Sequence, residues 1–250
     1  MKKVFKIIGY FLLILIVLLG AAFFMFNEKL PMGVKGEKAE ALAQKMIQAV
    51  DKTAWDTTHI ISWASRAGNA FVWDKERNLA QVEWKNNKVL LDIHKVSGKA
   101  WENQTEVTDP AHAQELIQKA YKFFINDAYW LNPVVKIYDD GVVRSFVTLA
   151  DGREGLLVSY SSGGVTPGDS YLWLVDANGL PTAWKLWVKV LPLGGIEMSW
   201  EDWITLPTGA KVATMHTGKA TGAKIPLTDV KAAAHLEGLG LKEDLFLTIQ

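Results

Sequence analysis

The sequence predicts a mainly β domain of the α+β class: a curved antiparallel half-barrel covered by helices and preceded by one N-terminal transmembrane helix. Three observations predict it. Residues 7–26 are apolar and uncharged. From residue 58 onward, short apolar segments of strand length follow one another, separated by Gly, Asn and Asp. Two other segments, 39–51 and 110–125, place their apolar residues at helical spacing instead.

The chain divides into a basic tail (1–6), the apolar span (7–26), a linker (27–38) and a domain over 39–250, long enough to bury a real core. MKKVFK supplies Lys2, Lys3 and Lys6 ahead of the span. Ile7–Phe26 has the twenty apolar residues that a helix needs to cross a bilayer. A cleaved signal peptide is the alternative, with Gly20-Ala21-Ala22 as its small-residue site, but the apolar run continues through Phe23, Phe24, Met25 and Phe26. An uncleaved anchor is the expectation. The lysines then keep the N-terminus in the cytoplasm and place the domain outside the inner membrane, in a periplasmic or extracellular space.

Residues 39–51 form an amphipathic helix with Ala39, Leu42, Ala43, Met46, Ile47 and Val50 on one face. Strand segments follow at 58–63, 69–74, 78–84, 88–94 and 98–104. Asp109-Pro110 opens a second helix, with Asp as N-cap and Pro at the first helical position, running to about Ile125. Residues 125–142 are irregular and end in an Asp139-Asp140-Gly141 turn. Strands resume at 143–149 and 154–160, and SSGGVTPGDS (161–170) reads as a loop. YLWLVDANGLPTAWKLWVKV (171–190) reads as a hairpin around Asn178-Gly179. Ile196, Met198 and Trp200 share a face of the next strand, 211–218 is another, and 227–236 reads as a short helix or turn. The total is about ten strands, mostly antiparallel, with the two helices as lids.

Composition narrows the function. Lys+Arg and Asp+Glu stand at 27 each, so a neutral chain has no general pull on nucleic acid, and none is expected as a partner. With no cysteine there can be no disulfide, thiolate metal site, cysteine nucleophile or lipid-modified cysteine. His59, His94, His112, His216 and His235 form no metal-binding spacing, so no metal and no cofactor is expected; His59 and His94 could still meet across a sheet. No nucleophile elbow or phosphate-binding loop is present.

DANGLPTAWKLWV, followed by MSWEDWITLPTGAKVA, resembles the LolA/LolB-type lipoprotein-carrier fold, an unclosed antiparallel barrel with helices across its mouth. NDAYWLNPVVKIYDDGV and GVTPGDSYLWLVD resemble segments of a bacterial family associated with that fold. The resemblance covers about residues 37–250. It implies a concave apolar face that binds acyl chains.

Eleven tryptophans are the compositional outlier. They can pack a broad sheet, line a pocket or sit at a membrane interface. The lining expected of such a pocket is Trp63, Trp73, Trp84, Tyr171, Trp173, Trp184, Leu186, Met198 and Trp200, with Trp187 out of phase and facing the other way. Asp127, Tyr129 and Asp139, in the irregular segment, are the candidate polar site. The expected function is non-catalytic binding of a lipid, a lipoprotein acyl chain or another hydrophobic ligand. The alternatives are a structural module with an envelope protein partner and, last, a lipid or glycan hydrolase using Asp127, Asp139, His59 and His94.

Overall fold

The computed structural model describes residues 2–162, 168–241 and 243–249, with the side chains of part of the first helix left out. The centre of the predicted 161–170 loop, residues 163–167, lies outside the described residues.

Helix α1 spans Lys2–Phe26. Among the described residues no helix is long and apolar enough to cross a membrane. Many of the side chains in α1 are not among those described. Helix α2 (Glu37–Ala49) carries Glu37 and Glu40 in its first turn, where the helix dipole favours them, and buries Ala39, Ala43 and Met46 on one face. A short helix α3 (Lys52–Asp56) follows, capped by the Asp51 side chain, which accepts from Ala54 N. Strands β1 (Ile60–Ser65), β2 (Ala70–Asp74), β3 (Leu79–Trp84), β4 (Asn87–Asp92), β5 (Ser97–Glu102) and β6 (Thr105–Glu106) form a meander. Helix α4 (Pro110–Ala128) starts at the predicted Asp109 cap, with Asp109 Oδ1 accepting from His112 N at 2.7 Å. It runs three residues beyond the expected Ile125.

The second half holds β7 (Val142–Thr148), β8 (Glu154–Tyr160), β9 (Ser170–Val175), β10 (Pro181–Trp187), β11 (Ile196–Ser199), β12 (Glu201–Thr205), β13 (Lys211–Thr217) and β14 (Lys224–Ala233). The segment 227–236, expected as a helix or turn, is instead mostly strand. Its Ala232 and Ala233 pair with Ile61 and Ile60 of β1. Sheet pairing overrides the helical preference of Lys-Ala-Ala-Ala.

Every pairing between strands is antiparallel. One sheet runs β12-β13-β14-β1-β2-β3-β4-β5-β6, the other β11-β10-β9-β8-β7. The chain passes straight from β11 to β12 through Trp200, and Met198 bridges Gly218, so the two sheets meet at this corner. Among the described residues the far edges, β6 and β7, do not pair, and the barrel stays unclosed. Both edges are protected against further pairing. Strand β6 has only two residues, both exposed, and Val34 exchanges two backbone hydrogen bonds with Phe146 of β7.

Alternation sorts the side chains between two faces. Ile61, Trp63, Val82, Trp84, Leu91, Val158, Trp173 and Trp184 point inward to the main core, where α4 covers β3–β5 and α2 covers β7 and β8. The outer face is covered as well. Ile60, Leu79 and Leu90 pack against Leu236 and the fully buried Phe246, so the C-terminal segment is a strap on that side. Val147, Leu157, Leu172 and Leu174 form a second outer cluster. Gly33 runs against Ser145 and Val147 there, where a β-carbon would meet Ser145 Cβ at 2.5 Å. The predicted linker is thus laid along the five-stranded sheet.

Candidate functional site

All nine predicted lining residues lie in the inner cluster. The reason is register. Trp63 pairs with Phe71, and Trp184 with Trp173 on one side and Met198 on the other, so strand neighbours present their large side chains to the same face. Trp184 is the hub. Its ring centroid lies 4.8 Å from Tyr171, 4.9 Å from Trp173, 4.9 Å from Trp200 and 5.1 Å from Trp130. A second group joins Trp63, Phe71, Trp73 and Phe124 at 4.7–6.5 Å. Trp187 faces away, as its phase requires, and donates from Nε1 to Glu28 O at 2.8 Å.

These rings fill the space between sheet and helices. Trp173 and Trp184 have no exposed surface. Yet the indole N–H groups of Trp63, Trp73, Trp173, Trp184 and Trp200 are buried without a hydrogen-bond acceptor. That is uncommon, because a buried indole usually reaches a partner. Trp203, by contrast, donates to Pro181 O at 3.0 Å.

The irregular segment predicted as a polar site is mostly core. Leu131, Val134 and Ile137 are fully buried, and a 3-10 turn covers Pro133–Lys136. Tyr129 stacks on Trp184 at 5.9 Å and meets Tyr160 and Tyr171. Burial pushes the Tyr129 phenol well above its ordinary pKa and raises Tyr160 to about 12. Asp127 and Asp139 do not join it. Asp127 accepts from Asn126 at 2.9 Å and from Asn69 at 3.4 Å, while Asp139 pairs with Lys136 within a turn. His59 and His94 do not meet either. His59 precedes β1 and His94 follows β4, with two strands between, and His59 pairs with Glu76.

Residues that sequence reasoning missed complete the wall. Trp130 stacks on Trp200 at 6.4 Å, and His216, fully buried, lies 4.3 Å from Trp200. Burial drops the His216 pKa to about 4, although its hydrogen bonds to Ser199 O and Trp130 O favour the charged ring. The signal for Trp130 was its place just past α4, and for His216 its strand phase with Val212 and Thr214.

Clefts open at the surface of the described residues, two of them beside Trp130 and Arg77. One, of about 350 Å³, is lined by Ser65, Arg66, Ala67, Asn126, Asp127, Trp130, Ile225 and Leu227. It joins Asp127 to Trp130, and so opens solvent onto the aromatic wall. The other, of about 210 Å³, lies beside the C-terminal strap, where the Arg77 guanidinium makes two bonds to Asp244 at 2.6 and 3.0 Å and one to Asp74. No group of three His, Asp or Glu side chains converges as a metal site among the described residues.

No family model matches the chain, and no curated protein does. Solved structures do match, two of them as follows. A DUF1329 family protein from Desulfovibrio piger is 11% identical, with a TM-score of 0.41 over 80% of this chain and 95% of that one. A putative outer membrane lipoprotein-sorting protein domain from Vibrio parahaemolyticus is 7% identical, with a TM-score of 0.31 over 78% and 94%. At these scores neither likeness bears on what this chain is or what it binds.

Proposed function

We propose that this chain is a non-catalytic, extracytoplasmic binding domain, held to the inner membrane by α1, that takes a lipid or acyl chain against its aromatic inner face. The observation that carries this is the wall itself: two aromatic groups on the inner face that together hold five unpartnered indole N–H donors, approached through the cleft beside Trp130. Buried donors without acceptors cost about 1–3 kcal/mol each. The ester or amide oxygens of an acylated ligand would accept from them. Each methylene buried on the wall would add about 0.8 kcal/mol. Uptake requires α4 and Trp130 to shift, because the rings fill the space between sheet and helices.

The anchor rests on Ile7–Phe26, which is uncharged, and on the single helix over Lys2–Phe26, about 37 Å long at 1.5 Å per residue. A hydrocarbon core is about 30 Å thick. Phe11, Leu12, Leu13 and Ile14 of this helix are exposed apolar groups.

The filled inner face favours a second reading, an envelope scaffold that binds a protein partner and no lipid. Native mass spectrometry of the full chain, extracted in mild detergent, separates the two. A retained lipid mass, together with saturable quenching of tryptophan emission by brominated fatty acid after delipidation, supports the binding domain. A clean apo mass with no saturable quenching supports the scaffold.

A further inference from the structure

We propose that the turn between β10 and β11, residues 188–195, is a lipid-facing foot that sits in the headgroup region of the bilayer entered by α1. The inference rests on the membrane-anchor reading above and adds how the domain is oriented on that membrane.

The end of α1 is clamped to this turn. Glu28 N donates to Gly194 O at 3.0 Å, and Gly194 N donates to Asn27 Oδ1 at 2.8 Å. The Glu28 carboxylate accepts from the buried Lys185 ammonium at 2.6 and 2.7 Å, and Glu28 O accepts from Trp187. Gly194 and Gly195 permit the approach. A β-carbon on Gly194 would meet Trp187 at 2.4 Å and Glu28 O at 2.8 Å, and one on Gly195 would meet the Glu28 side chain at 2.5 Å. A helix emerging from a bilayer at Phe26 therefore delivers the turn to the surface it leaves, with no slack between them.

The turn has the chemistry of that surface. Val190 is 71% exposed and Leu191 40%, and Met25 and Phe26 of α1 and Leu30 just after it are exposed too. Apolar side chains at that exposure, in a turn bonded to the residues that follow an apolar helix, are placed to enter lipid. Lys29 and Lys189 are exposed and flank them, where ammonium groups reach phosphate while their stems stay apolar. Trp187, half-buried with its indole tied back, suits the interfacial level. The Asn178-Gly179 tip of the β9–β10 hairpin lies at the other end of β10 and serves as the reference position.

The chain has no cysteine, so single-cysteine variants can be labelled cleanly. Full chains carrying Val190→Cys, Leu191→Cys, Ala177→Cys or Ile14→Cys are labelled with an environment-sensitive fluorophore. They are reconstituted in vesicles of phosphatidylethanolamine and phosphatidylglycerol containing shallow or deep nitroxide lipids. The expected result is a blue shift and shallow-nitroxide quenching at 190 and 191, deep quenching at 14, and neither effect at 177. Deep quenching at 14 with 190 and 191 behaving like 177 overturns the foot and leaves the anchor standing. Quenching at 190 and 191 without quenching at 14 overturns the anchor and supports the foot as a peripheral contact. Quenching at none of them overturns both.

Discussion

Replacing His216 with Gln should remove a defined part of the acid sensitivity of the fold. The ring is fully buried among Trp130 and Trp200, and its pKa falls from an ordinary 6.5 to about 4 because burial opposes the imidazolium. The sign follows from linkage. In the unfolded chain the ring binds a proton near pH 6.5, and in the folded chain only near pH 4. Stability is therefore complete above pH 6.5, is lost as pH falls toward 4, and is flat below that. The window of about 2.5 units, at 1.36 kcal/mol each, corresponds to about 3 kcal/mol. Carboxylates titrate in the same range. Asp92 is held low by Lys95, and Arg153 and Lys219 hold Glu197 low against the opposing effect of burial. The difference between wild type and His216→Gln isolates the histidine. The assay is urea unfolding of the full chain in detergent micelles, followed by tryptophan emission at several pH values between 7.5 and 4. The wild type should lose about 3 kcal/mol more than the variant across that range. Parallel pH profiles would refute the reasoning and mean that the buried ring takes up its proton at the ordinary pKa, each ring nitrogen then donating to its own carbonyl, Ser199 O or Trp130 O.

Trp184→Ala removes the hub of the inner wall and should cost about 3–5 kcal/mol in the same unfolding assay; a loss below 1 kcal/mol would mean that the wall is loosely packed. Asp109→Ala deletes the cap of α4 and should cost about 1 kcal/mol, with no change in the unfolding slope. Glu28→Ala should cost more than Lys185→Met. The first strands a buried ammonium, while the second removes the charge and keeps the apolar stem, so an equal or reversed order in thermal unfolding would show that Lys185 is solvated. Gly98→Ala should disrupt the β4–β5 pairing and lower expression of folded protein, because φ is +156° and the new carbon would meet Leu90 O at 1.9 Å. Normal expression with unchanged circular dichroism would contradict that geometry.

What the sequence by itself determined is local. Alternation in NLAQVEW and YLWLV placed Trp84 and Trp173 on the inner face, and the opposite phase of Trp187 sent it outward, because strand side chains alternate whatever packs on them. Asp109-Pro110 opened a helix because cap and first-turn geometry are written in adjacent residues. The antiparallel architecture with helical cover was legible for the same reason.

Only the tertiary structure decided the rest. Residues 227–236 became largely strand because β1 offered an unpaired edge, a fact remote in sequence. The linker became a clamp because Gly194, some 166 residues away, leaves room for Glu28. Trp130 and His216 joined the wall, while Asp127 stayed in the last turn of α4 and Asp139 in the turn before β7, because convergence at a site depends on which elements become neighbours. Whether aromatic residues fill a concave face or leave it open is likewise a matter of long-range packing, and here the rings meet one another. A period of two assigns a side chain to a face; what it touches there is set by elements far along the chain.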